Sequence, residues 1–117
     1  MAPASNLDSI SNIYFDIGKF SLKRSEKKKL IEILGILEDY TEYNFEILGH
    51  TDNTPFHLSN QHLSDKRAEK VYNFMIKNGF PSERLSYIGY GEERPVYSNT
   101  NRLGRQKNRR VEIIFLR

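Results

Sequence analysis

Along the 117 residues, the spacing of apolar side chains switches repeatedly between a strand period and a helix period, and this alternation restricts the chain to a sheet covered by helices. Ile10 to Phe15 is β-branched and aromatic, as a short strand is, and Gly18 helps to end it. From about Arg24 to Tyr40, Leu30, Ile33, Leu34 and Leu37 recur at three- and four-residue steps, while Lys27, Lys28, Glu32 and Glu38 take the remaining surface. Phe45 to Leu48 reads as a second strand closed by Gly49. A second helix runs from about Ser59 to Asn78, with Gly79 placed to stop it and Pro81 beyond. Leu85 to Tyr90 is a third strand, followed by a loop rich in Gly, Pro and Asn. In the last strand, Arg110 to Phe115, Val111, Ile113 and Phe115 share one face.

A chain of this length makes one domain and buries about two-thirds of its unfolded surface. Residues 1–9 read as a linker or an expression remnant, and residues 10–117 as the domain. The absence of cysteine excludes disulfides, thiolate metal sites and cysteine nucleophiles, and leaves the compartment undecided. The apolar runs Leu30–Leu37 and Val111–Leu116 are too short and too charged to span a bilayer, and Met1 to Asn6 has no signal-peptide pattern. A role outside the cytoplasm therefore needs a targeting region upstream. The net charge of +3, from 18 basic and 15 acidic side chains, is below that of a dedicated nucleic-acid binder. The basic clusters Lys23–Lys29 and Arg102–Arg110 read as solvated faces.

The second helix carries an anomaly. On a wheel of about 100° per residue with Leu63 at zero, Phe74 falls at about 20°, Val71 at about 80°, Met75 at about 120° and Ala68 at about 140°. Arg67 at about 40°, Asn60 at about 60° and Ser64 at about 100° fall inside that apolar arc. A buried guanidinium needs an anionic partner or a cleft. Two readings follow: an internal salt bridge, or a pocket at the helix N-terminus, where the dipole also favours anions. The natural opposing group is Asp52, in Gly49-His50-Thr51-Asp52-Asn53 at the end of the second strand. Asp52 for an ammonium and Arg67 for a carboxylate would suit a zwitterion, and a small anion such as phosphate or sulfate would also fit Arg67.

Several spaced motifs carry a family likeness: Gly49-His50-Thr51-Asp52, then Asn60, Leu63-Ser64 with Arg67-Ala68, Gly89-Tyr90-Gly91-Glu92 with Pro95, and Asn108-Arg109-Arg110-Val111. In this order and spacing, from Ile13 to Phe115, the chain resembles the OmpA-like peptidoglycan-binding domains, which include Pal lipoproteins and the C-terminal domains of flagellar stator proteins. The resemblance implies an α+β fold with a mixed four-stranded sheet and helices on one face. It implies noncovalent, non-catalytic binding of the peptidoglycan stem peptide, chiefly its diaminopimelate, by Asp52 and Arg67. Thr51 belongs to the first motif, Asn60, Leu63 and Ser64 match positions near the ligand, Tyr14, Phe15 and Asp16 match a first-strand loop lining the cleft, and Arg109 or Arg110 supports the carboxylate end. The implied setting is the periplasm, with a membrane or lipid anchor upstream tethering the domain to the outer or inner membrane, and a homodimer is compatible with it. No cofactor is implied. Wall anchor, porin tail and stator tail all fit. Two departures qualify the match. The segment from Asn53 to Ser59 lacks a glycine that many members carry, and its Thr54-Pro55 resembles stator proteins without their longer insertion. Ornithine in the stem would keep the ammonium and lose the carboxylate. On this reading Asp52→Ala and Arg67→Ala each abolish sedimentation with sacculi and leave the fold intact.

Three other classes are weaker. A hydrolase using His50 and Asp52 lacks a nucleophile in a recognisable context, since Ser59 and Ser64 are not in a G-x-S-x-G setting. His50, Asp52, His57 and His62 match no established zinc spacing. Arg102, Arg105, Lys107, Arg109 and Arg110 lack the stacking platform or groove-reading motif of a nucleic-acid binder, and read better as orienting the last loop and strand.

Overall fold

The computed structural model describes residues 9–55 and 58–116. In chain order the elements are β1 (Ser9–Tyr14), α1 (Arg24–Leu37), β2 (Asn44–Gly49), α2 (Asn60–Lys77), β3 (Leu85–Gly89), α3 (Arg102–Asn108) and β4 (Arg110–Leu116), with a 3-10 turn at Ser82–Arg84. The sheet order is β1-β4-β2-β3. β4 runs antiparallel to both β1 and β2, whereas β2 and β3 are parallel, so the sheet is mixed as expected. Parallel strands cannot be joined by a tight hairpin, and the β2–β3 crossover is α2.

Register explains the core. Ile13 sits opposite Val111, Val111 opposite Gly49, and Ile47 opposite Ile113, which lines these side chains along one face. Ile13, Phe45, Ile47, Val111 and Ile113 are all fully buried there. α1 packs on β1 and contributes Leu30, Ile33 and Leu37; α2 packs on β2 and β3 and contributes Leu63, Ala68, Val71 and Met75. Full burial of each such side chain is worth about 1.5–3 kcal/mol. α2 starts where the Ser59 hydroxyl accepts from the His62 amide at 3.0 Å. It stops at Gly79, whose φ of 101° closes the last turn and lets the Phe80 amide reach the Met75 carbonyl.

Two glycines set how closely α2 lies on the sheet. A Cβ at Gly49 would come within 2.1 Å of the Ser64 carbonyl oxygen, and one at Gly89 within 2.5 Å of the Ser64 hydroxyl. The first half of α2 is thereby seated against the ends of β2 and β3.

The structure departs from expectation in three places. β1 begins at Ser9, inside the stretch read as linker; the rest of that stretch lies outside the described residues. α1 ends at Leu37 and gives way to turns before Tyr40. The segment read as loop before the last strand contains α3, a two-turn helix started by the Asn101 side chain accepting from the Gly104 amide at 2.7 Å. It has no apolar stripe and holds an interior glycine, so no periodicity marks it. A Cβ at Gly104 would sit 1.8 Å from the Ser98 carbonyl oxygen, so contact with the preceding loop selects this helix.

Candidate functional site

The chain leaves β2 at Gly49 and crosses the N-terminal half of α2. The His50 amide donates to the Arg110 carbonyl and the Thr51 amide to the Gly91 carbonyl, both at 2.9 Å, which ties this segment to β4 and to the loop after β3. Asp52 follows, almost fully buried. Its Oδ1 accepts from the Thr54 amide at 2.8 Å, and its Oδ2 lies 3.1 Å from Arg109 Nη1. Arg109 Nε donates to the Phe15 carbonyl at 2.9 Å, and the Phe15 amide donates back to the Arg109 carbonyl at 3.0 Å.

Arg67 is the largest fully buried side chain among the described residues, at 0% exposure. Three of its N–H groups donate to carbonyls: Nε to Lys19 at 2.8 Å, Nη1 to His50 at 3.0 Å and Nη2 to Asp16 at 3.0 Å. The guanidinium also lies 5.3 Å from the centre of the Phe15 ring. Burial pulls its pKa down to about 10, while Asp52 opposes that shift and Arg109 adds to it. It therefore stays protonated at neutral pH. Asp52, Arg67 and Arg109 form one electrostatic cluster holding two positive charges and one negative charge.

This geometry revises the expected pairing. The internal ion pair of Asp52 is made with Arg109, 57 residues away in sequence. Arg67 neither opens to solvent nor takes a carboxylate; backbone oxygens satisfy it, so Arg67→Ala removes structural bonds as well as a charge. Phe15 joins the two arginines through its ring and its carbonyl. Asp16 contributes its carbonyl, while its carboxylate is exposed and lies 3.2 Å from Lys23 Nζ. Tyr14 sits between two lysines, with its ring centre 5.1 Å from Lys29 Nζ and 5.9 Å from Lys107 Nζ. The Thr51 hydroxyl donates to the Asp52 carbonyl at 2.8 Å. Asn60 donates to Glu92 Oε1 at 2.7 Å, and Leu63 is core. The buried Ser64 hydroxyl donates to the Gln61 carbonyl and accepts from the Gly91 amide, each at 2.8 Å, fastening the loop after β3 to α2.

The basic cluster at Arg102–Arg110 is not simply a solvated face, since Arg109 and Arg110 are buried. Arg105 donates to the Asn99 carbonyl and Arg110 to the Arg94 carbonyl, so these side chains do orient the last loop and strand. His50 and Asp52 do not form an acid–base pair. His50 lies 3.5 Å from Glu112 and stacks on Tyr90, whereas Asp52 meets Arg109. Burial lowers the His50 pKa, and Glu112 is held down at about 2, chiefly by His50. Among the described residues no three His, Asp or Glu side chains gather as metal ligands, and His57 lies outside those residues. The carbonyls of Lys19 and His50 are site components that sequence reasoning missed, because a backbone acceptor leaves no mark in residue type.

Residues 14–109 match the OmpA family. The chain belongs to the OmpA family. Motility protein B of Bacillus subtilis is 39% identical over 90% of the chain, and outer membrane porin F of Pseudomonas fluorescens is 36% identical over 86%. A photosystem I P700 chlorophyll a apoprotein A2 of Gloeobacter violaceus is 43% identical over 89% of the chain. The OmpA-family domain spans 42%, 31% and 13% of the lengths of these three proteins, so each likeness concerns a part of a larger chain. Among solved structures, the C-terminal domain of Helicobacter pylori MotB superposes with a TM-score of 0.87 at 27% identity, covering 92% of this chain and 85% of that one. The cell wall anchor of the T6SS from Pseudomonas aeruginosa gives 0.78 at 28% identity, covering 89% and 76%.

Proposed function

We propose that this domain binds peptidoglycan noncovalently and without catalysis, gripping a diamino acid of the stem peptide and so anchoring an envelope protein to the cell wall. The carrying observation is the buried cluster of one carboxylate and two guanidinia, with Asp52 paired to Arg109 and Arg67 behind them. Two positive charges against one leave a positive charge that a ligand carboxylate compensates, and a ligand ammonium replaces or shares the Asp52 contact. The Asp52 and Arg109 side chains keep 5% and 10% of their surface exposed, and Arg67 keeps none. A ligand therefore touches Asp52 and Arg109, while Arg67 acts from behind through its charge and by holding the walls of the site.

Membership of the family supports this reading, together with relatives named as a cell wall anchor and a motility protein. A periplasmic setting on a membrane-tethered protein goes with this reading, since a relative of known structure is described as the periplasmic domain of Helicobacter pylori MotB. Upstream, a lipid anchor, a barrel or a single membrane helix would each serve.

Co-sedimentation with purified sacculi tests the proposal. Asp52→Asn keeps the acceptor for the Thr54 amide and removes the charge. It is expected to lose at least tenfold in binding while still melting cooperatively. Free diaminopimelate should compete, and ornithine should compete more weakly because it lacks the second carboxylate. Undiminished sedimentation of a folded Asp52→Asn protein would show that the cluster is not the binding site.

A further inference from the structure

The two edges of the sheet differ in how they meet solvent. On the outer side of β1 the Lys29 ammonium donates to the Asn12 carbonyl at 2.9 Å and the Tyr14 amide donates to the Glu26 carboxylate at 2.8 Å. The β1 register also slips between Ser9 and Ser11. A bulge and charged side chains at an edge keep further strands from pairing with it. β3, the opposite edge, runs Leu85-Ser86-Tyr87-Ile88-Gly89 with no charge, no proline and an unbroken register. The Tyr90 amide donates to the Gly49 carbonyl, so Ser86, Ile88 and Tyr90 turn their peptide groups to β2, and Leu85, Tyr87 and Gly89 turn theirs outward. Both ends of this outward row are taken: the Leu85 amide donates to the Ser82 carbonyl, and the Gly89 carbonyl accepts from Gln61 Nε2 at 2.7 Å. Between those ends, nothing among the described residues bonds to the Leu85 carbonyl, to either peptide group of Tyr87 or to the Gly89 amide. Both faces of the edge offer apolar surface. Tyr87, 40% exposed, has its ring 5.0 Å from that of Tyr72 on the helix side, and Ile88, 41% exposed, points to the other side.

Charge narrows what can lie along this edge. The chain carries +3 overall, yet Ser82 to Glu93 holds Glu83, Glu92 and Glu93 against Arg84 alone. The Arg84 guanidinium is turned away onto the Tyr40 and Tyr43 carbonyls. Glu46 stands beside Ser86 across the β2–β3 register. Where β3 begins, Glu83, Ser86, Asn44 and Leu116 line a shallow cavity of about 120 Å³, so a carboxylate overlooks the opening at that end. A second copy of the chain paired here would set acid against acid. In an antiparallel pair centred on Tyr87, Glu83 of one copy falls opposite Gly91 and beside Glu92 of the other; in a parallel pair each acid meets its own counterpart. Like charges placed opposite each other across strands are destabilising.

We propose that β3 is a docking edge that takes a basic, extended segment of another protein as a fifth strand, using no residue of the Asp52–Arg109–Arg67 cluster. Only an extended segment presents a row of N–H and C=O groups to match the open groups of Leu85, Tyr87 and Gly89. Main-chain bonds then supply the affinity, and side chains on the two faces supply the selection. Successive side chains of the segment pack beside Tyr87 on one face and Ile88 on the other, and its Lys or Arg residues meet Glu83 and Glu46.

The probe is a synthetic peptide of alternating valine and threonine with lysines at both ends, and its control carries glutamates in place of the lysines. Nuclear magnetic resonance follows the amides of the wild-type chain. In the free chain the Tyr87 and Gly89 amides are expected to exchange with solvent faster than those of Ser86 and Ile88, and saturating lysine peptide is expected to slow them about tenfold. The glutamate peptide is expected to bind about tenfold more weakly, and Glu83→Lys to shrink that preference. Tyr87→Pro removes one outward N–H and spares the bonds to β2, so it is expected to melt cooperatively and lose the peptide. Ile88→Lys, a change at an exposed side chain, is expected to do the same, and both variants keep wild-type sedimentation with sacculi. Slow exchange at Tyr87 and Gly89 in the free chain overturns the proposal. So does failure of the lysine peptide to bind at millimolar concentration, or shifts confined to other elements. Equal affinity for the two peptides removes the basic partner. Concentration-dependent dimerisation that Ile88→Lys abolishes makes the occupant a second copy and overturns the proposal as well.

Discussion

Replacing Arg67 by alanine removes a fully buried side chain and the donors for three carbonyls, those of Asp16, Lys19 and His50, at 2.8 to 3.0 Å. The His50 carbonyl is buried, and left without its donor it costs about 1–3 kcal/mol; the Lys19 carbonyl is within reach of water and the Asp16 carbonyl keeps the Lys19 amide, so they cost less, and the vacated volume adds a cavity term. Against this stands relief of the desolvation that pulls the guanidinium pKa down to about 10, together with whatever bonds entering water restores. The net loss comes to about 3–5 kcal/mol, the range found when one partner of a buried charged arrangement is removed. A domain of this size has about 5–15 kcal/mol in total, and a loss of that size lowers the melting temperature by about 10–20 °C. Urea and thermal unfolding measure it directly. Arg67→Met separates the causes, since it refills much of the volume and supplies no donors. If the carbonyls dominate, Met is nearly as damaging as Ala; if volume dominates, Met is close to wild type. A loss below about 1 kcal/mol for Arg67→Ala, well under the range expected for buried acceptors, would refute the structural role assigned here. For the same reason, loss of wall binding by Arg67→Ala reports on ligand contact only where the variant is shown to be folded.

Two further predictions concern the sheet. Acidification should lower stability in two stages. His50 is held neutral by burial, so below its ordinary pKa of 6.5 the unfolded chain takes a proton that the folded chain resists. Glu112 sits at about 2 against an ordinary 4.5, so its contribution is complete above 4.5 and is lost as the pH falls toward 2. Melting temperatures at pH 7.5, 5.5 and 3 should therefore fall in order, and Glu112→Gln should flatten the lower step; a rise on going from pH 7.5 to 5.5 would contradict the assignment. Gly49→Ala should destabilise by about 2 kcal/mol or more by lifting α2 off β2, because the added methyl meets the Ser64 carbonyl at 2.1 Å. An unchanged urea midpoint would show that α2 is not seated as described.

The two long helices, the four strands, and the buried faces of those helices and of the last strand were legible because they depend on spacing along the chain. Leu30, Ile33 and Leu37, like Val111 and Ile113, were assigned to the core from period alone and are buried. Arg67 was also visible, as a charge inside an apolar arc. Its acceptors were not, because any residue type supplies a carbonyl. α3 lacked a pattern altogether: Asn108 and Gly104 are buried against the loop from Val96 to Asn99, and neither residue type signals a helix.

Hydropathy period, glycine placement and the motifs around Asp52, Arg67 and Arg109 were enough to assign the architecture and to single out three charged residues. Which charge meets which was settled by folding. The β1–β4 register brings the Phe15 carbonyl within 2.9 Å of Arg109 Nε, and the close seat of α2 on Gly49 and Gly89 places Arg67 under the carbonyls of Asp16, Lys19 and His50. Periodicity is a property of neighbours in sequence and can be read there. A hydrogen bond requires two atoms within about 3 Å, and for residues 17 to 94 positions apart that proximity exists only once the sheet has formed.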